Sequence, residues 1–294
     1  MTPISDIRDQ VGESPVWSVA EQALWWVDID GCALRRFDPA SGEVRSWPTA
    51  QRTGCIALHG QGGLLAAMET GLFHVQPQAD GTLASQPLAT VPHARDGMRF
   101  NDGRTDRAGR FWAGTMVRDM SLASDAGALY RYDRRGLVKV LDGFITPNGL
   151  GFSPDNRTMY VSDSHPSVQK VWAFDLSEDG TPSNRREFID MNAYPGRPDG
   201  AAVDAEGAYW ICANDAGLVH RFLPDGRLDR SIEVPAAKPA MCAFGGPDLQ
   251  TLFVTSIRPG TAPAGISAEA YALAGALFTQ RTGTRGLPEA TFQA

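Results

Sequence analysis

Sustained 3.6-residue periodicity is scarce in this chain of 294 residues. One stretch, ISAEAYALAG from Ile266 to Gly275, reads as a helix, and it reads equally as a loop. Cysteine is scarce too. The four present, Cys32, Cys55, Cys212 and Cys242, lie far apart and form no CxxC pair. They are expected to be buried thiols in a reducing cytoplasm. No window approaches the roughly 20 apolar residues of a membrane span. The first residues, MTPISDIRDQVGESPVW, lack both a basic start and an apolar stretch, so they do not read as a signal peptide. No run of Lys or Arg occurs, and the net charge is −7. Both facts argue against general affinity for nucleic acid or for an anionic membrane. Familiar fingerprints are missing as well. There is no G-x-S-x-G elbow, no H-E-x-x-H helix, no P-loop and no G-x-G-x-x-G. GQGGLL, Gly60 to Leu65, lacks the spacing and would precede a strand.

What the chain does have is a repeat. An apolar strand with an aromatic near its start follows a turn, six times: ALWWVD, GLLAAM, RFWAGT, TMYVSD, AYWICA and TLFVTS. Trp25, Leu65, Trp112, Tyr160, Trp210 and Phe253 align at intervals of 40, 47, 48, 50 and 43 residues. An alternating strand, a turn rich in Asp, Gly, Ser or Pro, and usually another strand follow each copy. Four-stranded units repeating every 40–50 residues mark a β-propeller. The fold expected is all-β: a six-bladed propeller of four-stranded antiparallel blades around a central channel. It spans residues 1–294 as one domain, because each blade buries its faces against its neighbours. The last copy is cut short near Ala294, so the N-terminal residues should add a strand to that blade and close the ring. A two-sheet sandwich is the competing fold, but it does not require equal intervals. The tryptophans Trp25, Trp26, Trp112 and Trp210 read as core between blades.

Polar residues recur at one phase of this repeat. Glu13 lies 12 residues before Trp25, Asn101 lies 11 before Trp112, Asn148 lies 12 before Tyr160, and Asp199 lies 11 before Trp210. The other two copies have Thr53-Gly54 and Met241-Cys242 there, poor ligands for a hard cation. Equivalent positions of a propeller sit at equal distance from its axis, and this phase should fall on the innermost strand. Four oxygen donors carrying −2 would then converge at one mouth of the channel, which suits a divalent cation. Without one, Glu13 and Asp199 would repel. None of the five His or four Cys occupies the phase. An oxygen-only site favours Ca²⁺, Mg²⁺ or Mn²⁺ over a structural zinc site, although Zn²⁺ can occupy it if waters complete the shell. The competing reading is that these are turn residues, since Asn-Gly and Pro-Asp-Gly are common turn formers.

At these residues the sequence resembles the senescence marker protein (regucalcin)/gluconolactonase family of sugar lactone hydrolases. The matching segments are GESPVW, RFNDGRTDRAGRFWAGTM, ITPNGLGFSPDNRTMYVSDS, RPDGAAVDAEGAYW and FGGPDLQTLFVTS, in order from about Glu13 to Ser256. The resemblance implies a six-bladed propeller in which Glu13, Asn148 and Asp199 ligate a divalent metal. It implies that Asn101 binds substrate or completes the metal shell, and that Arg99 contacts substrate oxygens. In the animal members a Glu sits where Asp119 stands; the shorter Asp reaches less far toward substrate.

The chemistry expected is metal-dependent hydrolysis of a small sugar lactone to the aldonic acid. A bound M²⁺ polarises the carbonyl. Asp199 is the candidate general base, and a metal-bound water of lowered pKa is the alternative source of the nucleophile. Phosphotriester or aryl-ester hydrolysis at the same metal site is a second reading, and a non-catalytic metal-binding propeller a third. His165, in SDSHPSV, either lines the pocket or sits in a surface turn. The segment Ile257 to Gly275 is either a wall over the site or an inert loop.

Overall fold

Short runs of β-branched and aromatic residues, cut by Gly, Asp and Pro, become strands because side chains alternate between two faces and both faces find an apolar partner. The computed structural model describes residues 1–293; Ala294, the last residue of the expected domain, lies outside the described residues. Six antiparallel sheets of four strands form the blades of a propeller, as the repeat predicts. The innermost strands are Gly12–Ser18, Thr53–Leu58, Met98–Thr105, Pro147–Phe152, Arg197–Val203 and Pro239–Gly245. Each packs against the next around the ring. The six aligned residues of the repeat sit on the second strand of each blade, and all are buried.

The aromatic residues among them fill the space between blades. Trp112 of blade three meets Phe152 of blade four at 5.8 Å, and Trp210 of blade five meets Phe244 of blade six at 5.4 Å. A fully buried Trp of this kind contributes several kcal/mol through area and contacts. The turn ahead of the strand holds the ring in place. Asp106 accepts from the backbone N–H of Ala108 (2.9 Å) and Arg110 (3.0 Å) and from Trp112 Nε1 (2.9 Å). Asp204 repeats the arrangement in blade five with Glu206, Ala208 and Trp210 Nε1. The turn residue of one strand thus fixes the rotamer of the interblade tryptophan.

The ring closes as expected. Thr2–Pro3 pairs with Phe278–Arg281 and becomes the outermost strand of the blade built from Pro239–Gly245 and Thr251–Ser256. A second device leaves no periodic mark in the sequence. The C-terminal segment runs across the ends of the inner strands, pairing Gly286 with Asp204 and Phe292 with His59. Between these points Glu289 meets Arg104 at 3.1 Å, both buried, and Arg104 Nη2 donates to the Ala201 carbonyl at 2.8 Å. Removing one partner of a buried pair strands the other charge in a low dielectric. Glu289→Gln is therefore expected to lower stability by about 3 kcal/mol, read as a fall in the urea midpoint at unchanged slope.

The ambiguous stretch near Ile266 contains a short helix, Ala268–Ala272, whose N-cap Ser267 accepts from Ala270 N. No helix among the described residues is long and apolar enough to cross a membrane.

Candidate active site and metal centre

Five of the six inner strands carry a two-for-one bulge at the phase singled out by the sequence. In blade one the pairing breaks between Glu13 and Val16, in blade four between Asn148 and Gly151. Asn101 and Asp199 lie inside the corresponding breaks of blades three and five. A bulge bends the strand and re-aims its side chains. In blade four it needs Gly149, whose φ is 61° and whose absent Cβ would meet Tyr209 Oη at 2.5 Å.

Glu13, Asn101, Asn148 and Asp199 all line one cavity of about 100 Å³ at the mouth of the channel. Their hydrogen bonds fix the orientation of each amide. Arg99 Nη1, which can only donate, gives 2.7 Å to Asn101 Oδ1. Asn101 Nδ2 donates to the Pro147 carbonyl and to Asn148 Oδ1, both at 3.0 Å. Asn148 Nδ2 then faces Ser164 Oγ at 2.9 Å. The Asn148 oxygen keeps a second lone pair. Asp199 Oδ2 accepts from Asn214 Nδ2 at 2.7 Å, and Glu13 receives only its neighbour's Ser14 N–H at 3.3 Å.

Two buried carboxylates with so few donors are poorly satisfied. Burial pushes the Glu13 carboxyl well above its ordinary range, and the charges of Asp199 and Asp102 push it further. Burial also raises Asp199 from 3.8 to about 7, against the pull of Arg197 and the Asn214 hydrogen bond. Below them Asp102 is raised to about 6 by burial, offset by the Leu150 N–H that it accepts at 2.7 Å. Among the described residues no three His, Cys, Asp or Glu side chains form a metal cluster. The converging set is two carboxylates and two carboxamides. Asn101 spends its oxygen on Arg99 and turns its Nδ2 toward Asn148, while Glu13, Asp199 and the Asn148 oxygen keep lone pairs free of donors, which fits a hard divalent cation.

Larger cavities exist elsewhere. One of about 680 Å³ lies between blades one and six around Trp17, Phe37 and Phe253, and its lining has no titratable group. Chemistry, not size, marks the channel mouth.

Comparison with known proteins identifies the family. Residues 11–258 match the family described as SMP-30/Gluconolactonase/LRE-like region. The chain belongs to this family. A 6-deoxy-6-sulfogluconolactonase of Pseudomonas putida is 40% identical over 289 residues, covering 96% of this chain and 94% of the relative. A pentonolactonase of Haloferax volcanii is 34% identical over 293 residues, covering 98% and 97%. Among solved structures, a calcium-binding protein, regucalcin, from Agrobacterium tumefaciens superposes with a TM-score of 0.91 at 28% identity, covering 99% of this chain and 97% of that one. The resemblance read from the motifs is thus a family membership, and the family is one of propeller lactonases.

Other residues proposed from the sequence fall in different places. Arg99 lines the cavity. Asp119 does not: its carboxylate caps the turn Met120–Leu122, accepting from Ser121 N (3.1 Å) and Ser121 Oγ (2.6 Å). A short Asp one residue ahead of a helical turn satisfies that turn's free N–H rather than reaching across open space. His165 is not in the cavity lining, and its Nε2 lies 3.3 Å from the carbonyl of Met120, which is. Ile257, at the start of the 257–275 segment, lines the site as well.

Reasoning from one phase missed Arg197, Asn214 and Ser164. Arg197 had a signal. It precedes Asp199 by two residues, as Arg99 precedes Asn101, and residues two apart on a strand share a face.

Proposed function

We propose that the protein hydrolyses an aldonolactone to the aldonic acid at the channel mouth, with Glu13, Asn148 and Asp199 holding a divalent cation and Asn101 and Arg99 facing the substrate. The lactonase class comes with the family. The relatives named for a sulfonated gluconolactone and a pentonolactone support a pentonic or hexonic ring as substrate. The observation that carries the assignment of residues is the convergence of two under-satisfied carboxylates, two oriented carboxamides and an arginine on bulged strands of four blades. The calcium-binding relative supports a divalent ion in general, and Ca²⁺, Zn²⁺, Mn²⁺ and Mg²⁺ all remain open to such oxygen ligands. Unpaired cysteines support a cytoplasmic setting.

When bound, the cation would polarise the lactone carbonyl and stabilise negative charge on its oxygen. The protein's own groups do the rest. Asp199 takes a proton from the attacking water as its oxygen bonds to the carbonyl carbon. The bond from that carbon to the ring oxygen breaks, and the ring oxygen takes that proton back from Asp199 to become the new hydroxyl. Asn214 fixes one Asp199 oxygen and leaves the other for this transfer. Asn101 locks the Arg99 guanidinium against the pocket, where it meets ring hydroxyls or shares the oxyanion charge. A mouth so rich in donors suits a polyhydroxylated substrate better than an apolar aryl ester or phosphotriester.

The test is acid release from D-glucono-, D-galactono- and D-xylonolactone, above the spontaneous rate, before and after EDTA. Turnover of at least one sugar lactone, lost on chelation and restored by a divalent ion, is expected. Turnover indifferent to EDTA would remove the cation from the reading. Hydrolysis of a paraoxon-type triester but of no lactone would remove the substrate.

A further inference from the structure

Two arginines stand two residues up the strand from the oxygen ligands. Arg99 rises from blade three and Arg197 from blade five, and both line the cavity. Arg99 forms no ion pair among the described residues; its Nη1 donates to the Phe100 carbonyl and to Asn101 Oδ1. Arg197 is paired, but it shares its partner. Its Nε donates to Asp215 Oδ2 at 2.7 Å, while Lys238 Nζ takes the other oxygen of the same carboxylate. One anion thus serves two cations.

The remaining donors of Arg197 matter more. Nη1 gives one N–H to the Ser164 carbonyl at 3.1 Å, and Nη2 gives one to Asn214 Oδ1 at 3.4 Å. A guanidinium has five N–H groups, so one on each terminal nitrogen is left over. Those two N–H groups are free to donate to the oxygens of a carboxylate, sulfonate or phosphate. The charge balance points the same way. Arg99, Arg197, Glu13 and Asp199 line the cavity, and Lys238, Asp215 and the deeper Asp102 stand around it. A divalent ion in place turns the deficit of one into a surplus of one positive charge. A neutral sugar ring gives such a mouth no counter-charge.

We infer that the lactone selected by this site carries an anionic group at the end remote from its carbonyl, with Arg197 gripping the anion through its two free N–H groups and Lys238 adding charge behind it. The inference rests on the lactonase reading above. Arg99, two residues from Asn101, is left for the ring.

The experiment compares kcat/KM of the metal-loaded protein on D-glucono-1,5-lactone with that on rings carrying a 6-carboxylate, a 6-sulfonate or a 6-phosphate. At least one anionic lactone is expected to exceed the neutral one by about ten-fold or more, the order of one good charge-assisted hydrogen bond. The anion favoured tells which group the pocket accepts. In Arg197→Gln the anionic-to-neutral ratio should fall by about ten-fold, in Lys238→Gln by less, and Arg197→Lys should keep part of it. Added salt should raise KM for the anionic lactone more than for the neutral one. A neutral lactone that matches or beats every anionic one overturns the inference and leaves the lactonase reading standing. A ratio unmoved by Arg197→Gln removes Arg197 as the anion's partner. Failure to hydrolyse any of the lactones removes both readings together.

Discussion

Asp199→Asn should lower kcat/KM on a sugar lactone by roughly 10³-fold or more, with the circular dichroism spectrum and unfolding cooperativity unchanged. The substitution keeps the shape and keeps an oxygen for Asn214 Nδ2, which now holds Asp199 Oδ2 at 2.7 Å. What it removes is the negative charge and the basic site. General base catalysis is worth about 10² to 10⁴, and the same carboxylate is a proposed cation ligand, so both losses act at one atom. The fold should survive because the ionised carboxylate is a burden there. Burial raises it to about 7, so its neutral isostere relieves a desolvation cost. Asn214→Ala leaves the charge and frees the carboxylate to rotate; a loss of about ten-fold is expected there. Asp199→Asn activity within ten-fold of the parent protein would exclude Asp199 as base and as ligand alike.

The fold was legible because six copies of one pattern recur along the chain, and the structure places all six aligned residues on the same strand of their blades. The cavity itself is built from that repeat, at three phases. The first holds Glu13, Asn101, Asn148 and Asp199, which the sequence singled out. The second, two residues earlier, holds Val11, Arg99, Thr146 and Arg197. The third lies four residues after the aligned aromatic and holds Ile29, Met116, Ser164, Asn214 and Ile257. Only Met120 of the lining falls outside these phases. Strand alternation would have extended the first phase to the second. The third was hidden because its members share a position but no chemistry. Asp102 was hidden for another reason. In a regular strand it would point away from its neighbour Asn101. Both sit unpaired in the blade-three bulge, and Asp102 reaches the Leu150 N–H exposed by the bulge of blade four. A register break of this kind leaves no periodic trace. The C-terminal strap escaped because it is held by isolated long-range contacts, the Arg104–Glu289 pair and the bridges at Gly286 and Phe292, rather than by a recurring pattern.

Stripped of divalent ions, the protein should lose stability as the pH rises, and Glu13→Gln/Asp199→Asn should remove the larger part of that loss, leaving the share of Asp102 and Asp9, both raised to about 6. Glu13 and Asp199 both sit higher in the fold than in the unfolded chain, so folding takes up protons. Their contribution is fully retained below about pH 4, where both states are protonated, and is lost as the pH climbs through about 7. Raising Asp199 from 3.8 to about 7 costs the ionised fold on the order of 4 kcal/mol at alkaline pH. A divalent cation reverses the sign, because ionised ligands then have a partner and binding releases the protons. In urea titrations with EDTA, the parent protein should therefore be several kcal/mol weaker near pH 8.5 than near pH 5.5 relative to the double variant, and added divalent ion should rescue the parent alone. The variant should be inactive yet at least as stable as the chelated parent, the trade expected where a site stores unfavourable charge for function. A double variant less stable than the chelated parent near pH 8.5, or one stabilised by the same ion to the same degree, would mean that the two carboxylates support the fold rather than hold a cation.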